Sequence, residues 1–300
     1  MHWKGVMPAM TTCFNESMQV DHAFMAKHAQ WMIDNGCSGL IMLGSLGEAA
    51  TLTAEEKQAI LRNVIKTEGS RVPVVAAISS RSTQESVTLA KSAADAGCKG
   101  LMILPPYVYK GDWREMKTYL GEVLRATSLS CMLYNNPVSY ETDFLPEQIA
   151  ELSAEHENLH AVKESSADVR RIAAILALTD KLRIFVGVDD IVVEGIYAGA
   201  TGWVAGLVNA FPAESVALFN YASTGKTADA FELYKWFLPL LRMDTVPKFI
   251  QLIKFVQQET GMGNARVRGP RLELAGKELE EAHQTLQHAL SRRPTLTLSR

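Results

Sequence analysis

Cysteine is scarce in this sequence: four residues in 300 (Cys13, Cys37, Cys98 and Cys131), with no CxxC pair. That spacing offers neither a disulfide framework nor a thiolate zinc site, and it reads as the reduced thiols of a cytoplasmic protein. Positive charge is not in excess either, since 30 Lys and Arg stand against 33 Asp and Glu for a net charge of −3. The balance gives no electrostatic reason to expect nucleic acid. No uncharged apolar run approaches the roughly 18 residues of a membrane span, and the opening MHWKGVMPAMTT has no signal-peptide core. Asn15-Glu16-Ser17 matches a glycosylation sequon, which stays unused without export. A GxGxxG loop after an early strand is missing too, and with it the phosphate cradle of a dinucleotide-binding sheet. These absences leave a cytoplasmic protein whose partner is a small molecule, with neither nucleic acid nor membrane implied.

What is present is a regular alternation. Apolar runs with strand character recur at 5–10, 39–44, 72–78, 100–105, 130–135, 159–164, 183–188 and 202–207. They are apolar nearly throughout, as parallel strands covered on both faces must be. Helical periodicity fills the intervals near 21–36, 53–68, 83–97, 112–126, 145–155, 168–179, 190–199 and 212–223. Thr53 followed by Glu56 predicts a capping box at the start of the second of these. Strict alternation over eight units predicts a (β/α)8 TIM barrel over 1–225. Beyond it the strand signal stops, and helical stretches near 226–243, 246–260 and 275–291 predict a C-terminal helical extension, 226–300, packed on the barrel. The charged tail SRRPTLTLSR reads as loosely held.

In such a barrel the reactive groups sit at the C-terminal ends of strands and in the loops that follow. The loops LGSLGEAATL, PPYVYKG, LYNNPVSY, VKESS and VGVDD supply an amine, phenols, hydroxyls and carboxylates, and no metal cluster. HENLH (156–160) fits a zinc-hydrolase pattern, but His156 follows a helix and His160 lies in a strand, so the two do not share a helical face. Lys163 stands out because desolvating an ammonium in a strand is costly. As a nucleophile toward a carbonyl it must be neutral, yet an ordinary lysine leaves only about one molecule in 2,500 neutral at pH 7. Burial at a barrel mouth shifts that balance toward the amine. Tyr134, at the end of the preceding strand, offers a phenol for proton transfer. The glycine turn Gly44–Glu48 offers amides to a carboxylate.

With these residues together, the chain resembles the dihydrodipicolinate synthase / N-acetylneuraminate lyase superfamily of class I, Schiff-base-forming aldolases. The resemblance runs through GVMPAMTTCF, GSLGEAATLTAEE, PPYVYKG, LYNNP, VKESS, GVDD and RVRGPRLEL. It implies that Lys163 forms an imine with C2 of a 2-oxo acid, that Tyr134 relays protons, and that Ser45 hydrogen-bonds the tyrosine. It implies that the Ser45 and Leu46 amides hold the substrate carboxylate. Gly47, Tyr107, Tyr109, Ser139, Ser165, Gly187, Asp189, Asp190 and Val204 then contact substrate. No cofactor or metal is implied, and a homotetramer is.

Three departures bear on the substrate. The synthases carry an arginine shortly after YNxP that binds the second substrate's carboxylate, and here Ser139 stands there with no arginine nearby in sequence. Leu46 replaces a hydroxyl residue and keeps only its backbone amide. Val108 takes the place of a proton-shuttle tyrosine, so Tyr107 or Tyr109 must substitute. GVDD is similar to the GxDE segment with which sialic-acid-type lyases bind hydroxyls, although an Asp pair also suits a helix N-cap. The expectation is a lyase acting on a hydroxylated 2-oxo acid or its cyclic imine. A 1-pyrroline-4-hydroxy-2-carboxylate deaminase and a 2-keto-3-deoxy-sugar-acid aldolase are the examples the motifs suggest. Dihydrodipicolinate synthase itself and a non-catalytic binder of 2-oxo acids are the alternatives.

Overall fold

Each of the eight apolar runs becomes a strand. In chain order they are β1 (Gly5–Pro8), β2 (Leu40–Met42), β3 (Val74–Ile78), β4 (Gly100–Ile103), β5 (Ser130–Asn135), β6 (Leu159–Glu164), β7 (Arg183–Val186) and β8 (Gly202–Ala205). The computed structural model describes residues 1–296. All pairings are parallel, in the order β1-β8-β7-β6-β5-β4-β3-β2. A bridge from Ala9, just beyond β1, to Ile41 in β2 brings the two ends together, so the sheet curls into a nearly closed TIM barrel.

Helices return the chain between strands. They are α1 (His22–Asp34), α2 (Ala54–Glu68), α3 (Thr83–Ala96), α4 (Trp113–Arg125), α5 (Pro137–Tyr140), α6 (Pro146–Glu155), α7 (Arg170–Leu178), α8 (Val192–Tyr197) and α9 (Pro212–Ser223). The Thr53–Glu56 capping box is present: Thr53 Oγ1 accepts from Glu56 N at 3.2 Å, and Thr53 N donates to Glu56 Oε2 at 2.9 Å. Such a cap is worth about 1 kcal/mol. The single turn α5 is not foreshadowed by periodicity, being too short to show any. Asn136 caps it and Pro137 fills its first position, a local start signal within YNNP.

One irregularity sets the geometry of the site. Along β5 and β6 the register shifts between Cys131, opposite Leu159, and Met132, opposite Ala161. The residue skipped is His160, which turns outward and bonds Ser130 Oγ through Nδ1 at 2.7 Å. Beyond this bulge Tyr134 lies opposite Lys163. Without the shift it would lie opposite Val162, and the lysine would be one residue out of step with the phenol.

After the barrel come α10 (Thr227–Leu241), α11 (Phe249–Glu259) and α12 (Gly276–Leu290). α10 packs on α9 and α12, while α11 meets the short turn Leu207–Asn209 beyond β8. The turn Arg242–Asp244 after α10 packs on the loop Asp189–Ile191 after β7. Of the tail expected to be loosely held, residues 297–300 lie outside the described residues.

Candidate active site

Lys163 ends in the barrel mouth with only 7% of its surface exposed. Its Nζ stands 4.1 Å from the centroid of the Tyr134 ring. Room for it comes from the next strand: a Cβ at Gly187 would lie 2.6 Å from Lys163 Cε and 1.9 Å from Ser165 Oγ. Gly187 therefore acts by leaving space. The Ser165 hydroxyl beside the lysine chain is buried and has no hydrogen-bond partner among the described residues, a polar atom still owed one.

Three phenols converge above the lysine. The Tyr140 ring packs edge-on to Tyr134 (centroids 5.8 Å apart) and lies 6.0 Å from Tyr107. Tyr140 is the residue that sequence reasoning passed over. It belongs to α5, and the turn started by Asn136 and Pro137 folds it back over Tyr134. Ser45 was expected to bond Tyr134, but its hydroxyl bonds Tyr140 instead. The Tyr134 hydroxyl accepts from Asn136 Nδ2 at 2.9 Å. Burial raises the Tyr140 phenol well above its ordinary range, reinforced by its two phenolic neighbours and opposed by the Ser45 bond. Burial likewise raises Tyr107, while a bond with Ser79 and the Arg271 charge oppose it.

Tyr109 does not join this group. Val108 sits at φ 73° and is 93% exposed, so the backbone turns outward there, and Tyr109 donates to Glu115 Oε1 on α4 at 2.9 Å. Of the two tyrosines offered as substitutes for the shuttle, the structure brings only Tyr107 to the cluster.

The turn after β2 presents the amides of Ser45, Leu46 and Gly47, none of which has an acceptor among the described residues. Consecutive free amides form an anion cradle. Gly47 is needed because a Cβ there would approach Met10 O to 2.9 Å, and its own carbonyl accepts from Thr12 Oγ1 at 2.7 Å. Leu46 is buried beneath the turn. Glu48, in the left-handed region at φ 55°, closes the turn with a buried carboxylate. Its Oε1 accepts from Lys254 Nζ at 2.9 Å and its Oε2 from Arg268 N at 2.9 Å. Residues from α11 and the segment after it thus hold the cradle in place, a contribution sequence reasoning did not find.

The acids after β7 need correction. Asp189 was expected to meet substrate hydroxyls or to cap a helix, and it does neither. It is fully buried, and its carboxylate accepts from Trp203 Nε1 (2.9 Å), Leu207 N (2.8 Å) and Gly206 N (3.1 and 3.2 Å). It ties β7 to the end of β8 and has no oxygen left for a ligand. Burial pushes its carboxyl up to about 6, against the pull of those donors. Asp190 lies beside the extension, with Oδ2 at 3.7 Å from Arg242 Nε and its carbonyl bonded to Tyr234. The free carboxyl here is that of Asp244, which no hydrogen bond engages among the described residues. It packs over Gly206, where a Cβ would lie 2.0 Å from Asp244 Oδ1. Burial and the neighbouring Asp189 charge hold it well above the carboxylate range, and the Lys163 charge pulls it down.

Val204 stands opposite Met7 in the β1–β8 register and is wholly buried, on the sheet face that carries Lys163. Ser139 is exposed and lines a cavity of about 830 Å³ with Ser45, Tyr107 and Tyr140. The same cavity receives Arg81 and Arg271, so arginine is absent near Ser139 in sequence but present near it in space. His156 caps the end of α6 and His160 sits in β6, so HENLH does not share one helical face. Among the described residues no cluster of three His, Cys, Asp or Glu is placed to hold a metal ion. No helix among them is long and apolar enough to cross a membrane.

A TIM barrel with a buried lysine, a phenol beside it and an amide cradle after β2 is the arrangement of a class I, Schiff-base lyase. Comparison with known proteins agrees. Residues 2–289 match the dihydrodipicolinate synthetase family, and the chain belongs to that enzyme family. It is 31% identical to the 4-hydroxy-tetrahydrodipicolinate synthase of Methanococcus maripaludis, over 96% of this chain and 98% of the relative. A dihydrodipicolinate synthase from Bacillus anthracis superposes with a TM-score of 0.92 at 28% identity, covering 98% of this chain and all of the other. A prophage protein of the same family from E. coli K12, solved with pyruvate, gives 0.90 at 25% identity, covering 96% and 99%.

Proposed function

We propose that this enzyme holds pyruvate as an iminium on Lys163 and joins it to aspartate semialdehyde, as 4-hydroxy-tetrahydrodipicolinate synthases do. The observation that carries the reading is the placement of Lys163 against Tyr134, in a barrel whose turn after β2 presents three amides without acceptors among the described residues. The amine adds to the pyruvate carbonyl and water leaves, with Tyr134 as the proton carrier at hand. Loss of a C3 proton gives an enamine, whose carbon attacks the aldehyde. Tyr140, its ring edge-on to Tyr134, and Ser45, bonded to the Tyr140 hydroxyl, place two more hydroxyls at the cavity wall. The names of the relatives support this reading, and so does Arg271, a permanent cation on the cavity wall.

A second reading has its own observation. Asp244 places a carboxyl that no hydrogen bond engages among the described residues, held toward its neutral form, within the electrostatic reach of Lys163, where it suits the departure of a hydroxyl or amine from a hydroxylated 2-oxo acid or its cyclic imine. This was the leading expectation from sequence, through the missing arginine after YNxP. The relatives' names favour the condensation over it. A coupled assay decides: turnover of pyruvate with aspartate semialdehyde supports the condensation. Turnover only of 2-keto-3-deoxygluconate, N-acetylneuraminate or the hydroxylated pyrroline carboxylate would replace it with the second reading.

We infer a homotetramer as well. Val108 and Val138, 93% and 73% exposed beside the cavity, are apolar side chains of the kind a second copy covers. Sedimentation should give four chains, and a monomer at working concentration would contradict this. A cytoplasmic location rests on four unpaired, buried thiols.

A further inference from the structure

The geometry points to Arg271, on the wall of the cavity, as the group that binds a distal carboxylate of the substrate. The inference rests on the proposed reading only for the identity of the first substrate. Two arginines three residues apart enter the same region and are used differently. Arg268 spends its guanidinium on the protein: it donates to Glu56 at 2.6 and 2.7 Å, to Met18 O at 2.7 Å and to Thr51 O at 3.1 Å. The Arg271 guanidinium makes no hydrogen bond among the described residues; only its backbone amide is engaged, by Arg268 O at 3.2 Å. Its nearest acid is Glu48, 3.8 Å away, whose two oxygens are already taken by Lys254 and Arg268.

A guanidinium carries five N–H donors and no acceptor, so an unengaged one facing a cavity is a recognition element waiting for an anion. Arg271 shares its cavity with Ser45, Tyr107, Ser139 and Tyr140, and the volume of about 830 Å³ exceeds the need of a three-carbon acid alone. Of the other cations lining it, Lys110 is already paired with Glu141, Lys57 offers no bidentate fork, and Arg81 is exposed where Arg271 is half-buried. Ser139 is neutral and cannot supply a charged, bidentate clamp. The ligand chemistry is therefore a carboxylate at the far end of a second substrate, or of a longer 2-oxo acid.

Calorimetry tests this on the whole chain, with pyruvate first trapped on Lys163 by borohydride so that the amide cradle is filled. Wild type should bind succinate semialdehyde more tightly than 4-oxobutanamide, which lacks the charge. R271A should weaken the first on the order of 10- to 100-fold and leave the second unchanged. R271K should retain part of the preference. Unchanged binding of both ligands in R271A, equal loss of both, or no preference in wild type would each overturn the assignment. If pyruvate is not trapped, the proposed function falls. The same titration on untreated enzyme then still supports Arg271 if R271A abolishes the preference.

Discussion

The barrel mouth and the C-terminal extension contribute to the site in different ways. The barrel delivers Lys163, Tyr134 and Gly187 from adjacent strands, and their placement follows from strand order and a one-residue bulge. The extension delivers Lys254, Arg268, Arg271 and Asp244 from far along the chain, and they reach the site only because the helices pack where they do. In the proposed reading the first group makes the covalent bond possible. The second holds the cradle, charges the cavity and supplies the free carboxyl. In this fold the chemistry rides on the rigid sheet, while the surroundings that tune it are assembled from outside.

That division can be broken one residue at a time. The largest catalytic effect short of the lysine itself should come from Tyr134→Phe, which keeps the ring and removes the proton carrier. Turnover should fall about 10²- to 10⁴-fold with the fold intact, as circular dichroism would verify. An activity within a few-fold of wild type would mean the phenol is not the relay.

On the extension side, Lys254→Met leaves the buried Glu48 carboxylate without its cation. Losing one partner of a buried pair costs roughly 3–5 kcal/mol, read as a lower denaturant midpoint. KM for pyruvate should rise with it, because the amide cradle is anchored through Glu48. The double variant with Glu48→Gln should recover much of the stability. If KM does not move, the extension is a prop for the fold and not for the cradle.

A smaller effect concerns His28, buried where α1 meets the extension, its Nε2 donating to Asn209 O at 2.9 Å and within 3.4 Å of Gln257 Nε2. Burial lowers its pKa from 6.5 to about 4. Between those values the unfolded chain takes up a proton that the folded chain refuses, so this contribution is full above pH 6.5 and lost as pH falls toward 4. Between pH 7.5 and pH 5 it should cost wild type about 2 kcal/mol. The stability gap between wild type and His28→Gln should narrow by that amount over the same interval. A constant gap would contradict a neutral, buried imidazole.

The smallest effect should be that of Tyr109→Phe. Its hydroxyl faces Glu115 and not the cavity, so turnover should stay within about twofold, as for other surface changes.

The same division explains what could be read from the sequence. Lys163 and Tyr134 were legible because consecutive apolar runs become neighbouring parallel strands, and both stand at the ends of theirs. The capping box at Thr53 was legible because it is local. Tyr140 was missed because one turn of helix has no periodicity, though Asn136-Pro137 was its signal. Asp189 misled because GVDD looks polar in sequence, whereas the donors that bury it come from the end of β8. Tyr109 misled because nothing local announces the left-handed backbone at Val108. No arginine stands near Ser139 along the chain, whereas Arg271 comes to that cavity from the other end of it.

The central claim is that the Lys163 amine attacks a 2-oxo acid. Borohydride reduction with pyruvate, followed by peptide mass analysis, tests it most directly. The account predicts one reduced pyruvate on the peptide carrying Lys163 and none in Lys163→Ala, whose turnover should fall about 10⁵-fold or more, the scale of losing a covalent nucleophile. An unmodified Lys163, or an adduct on another lysine such as the buried Lys254, would contradict it.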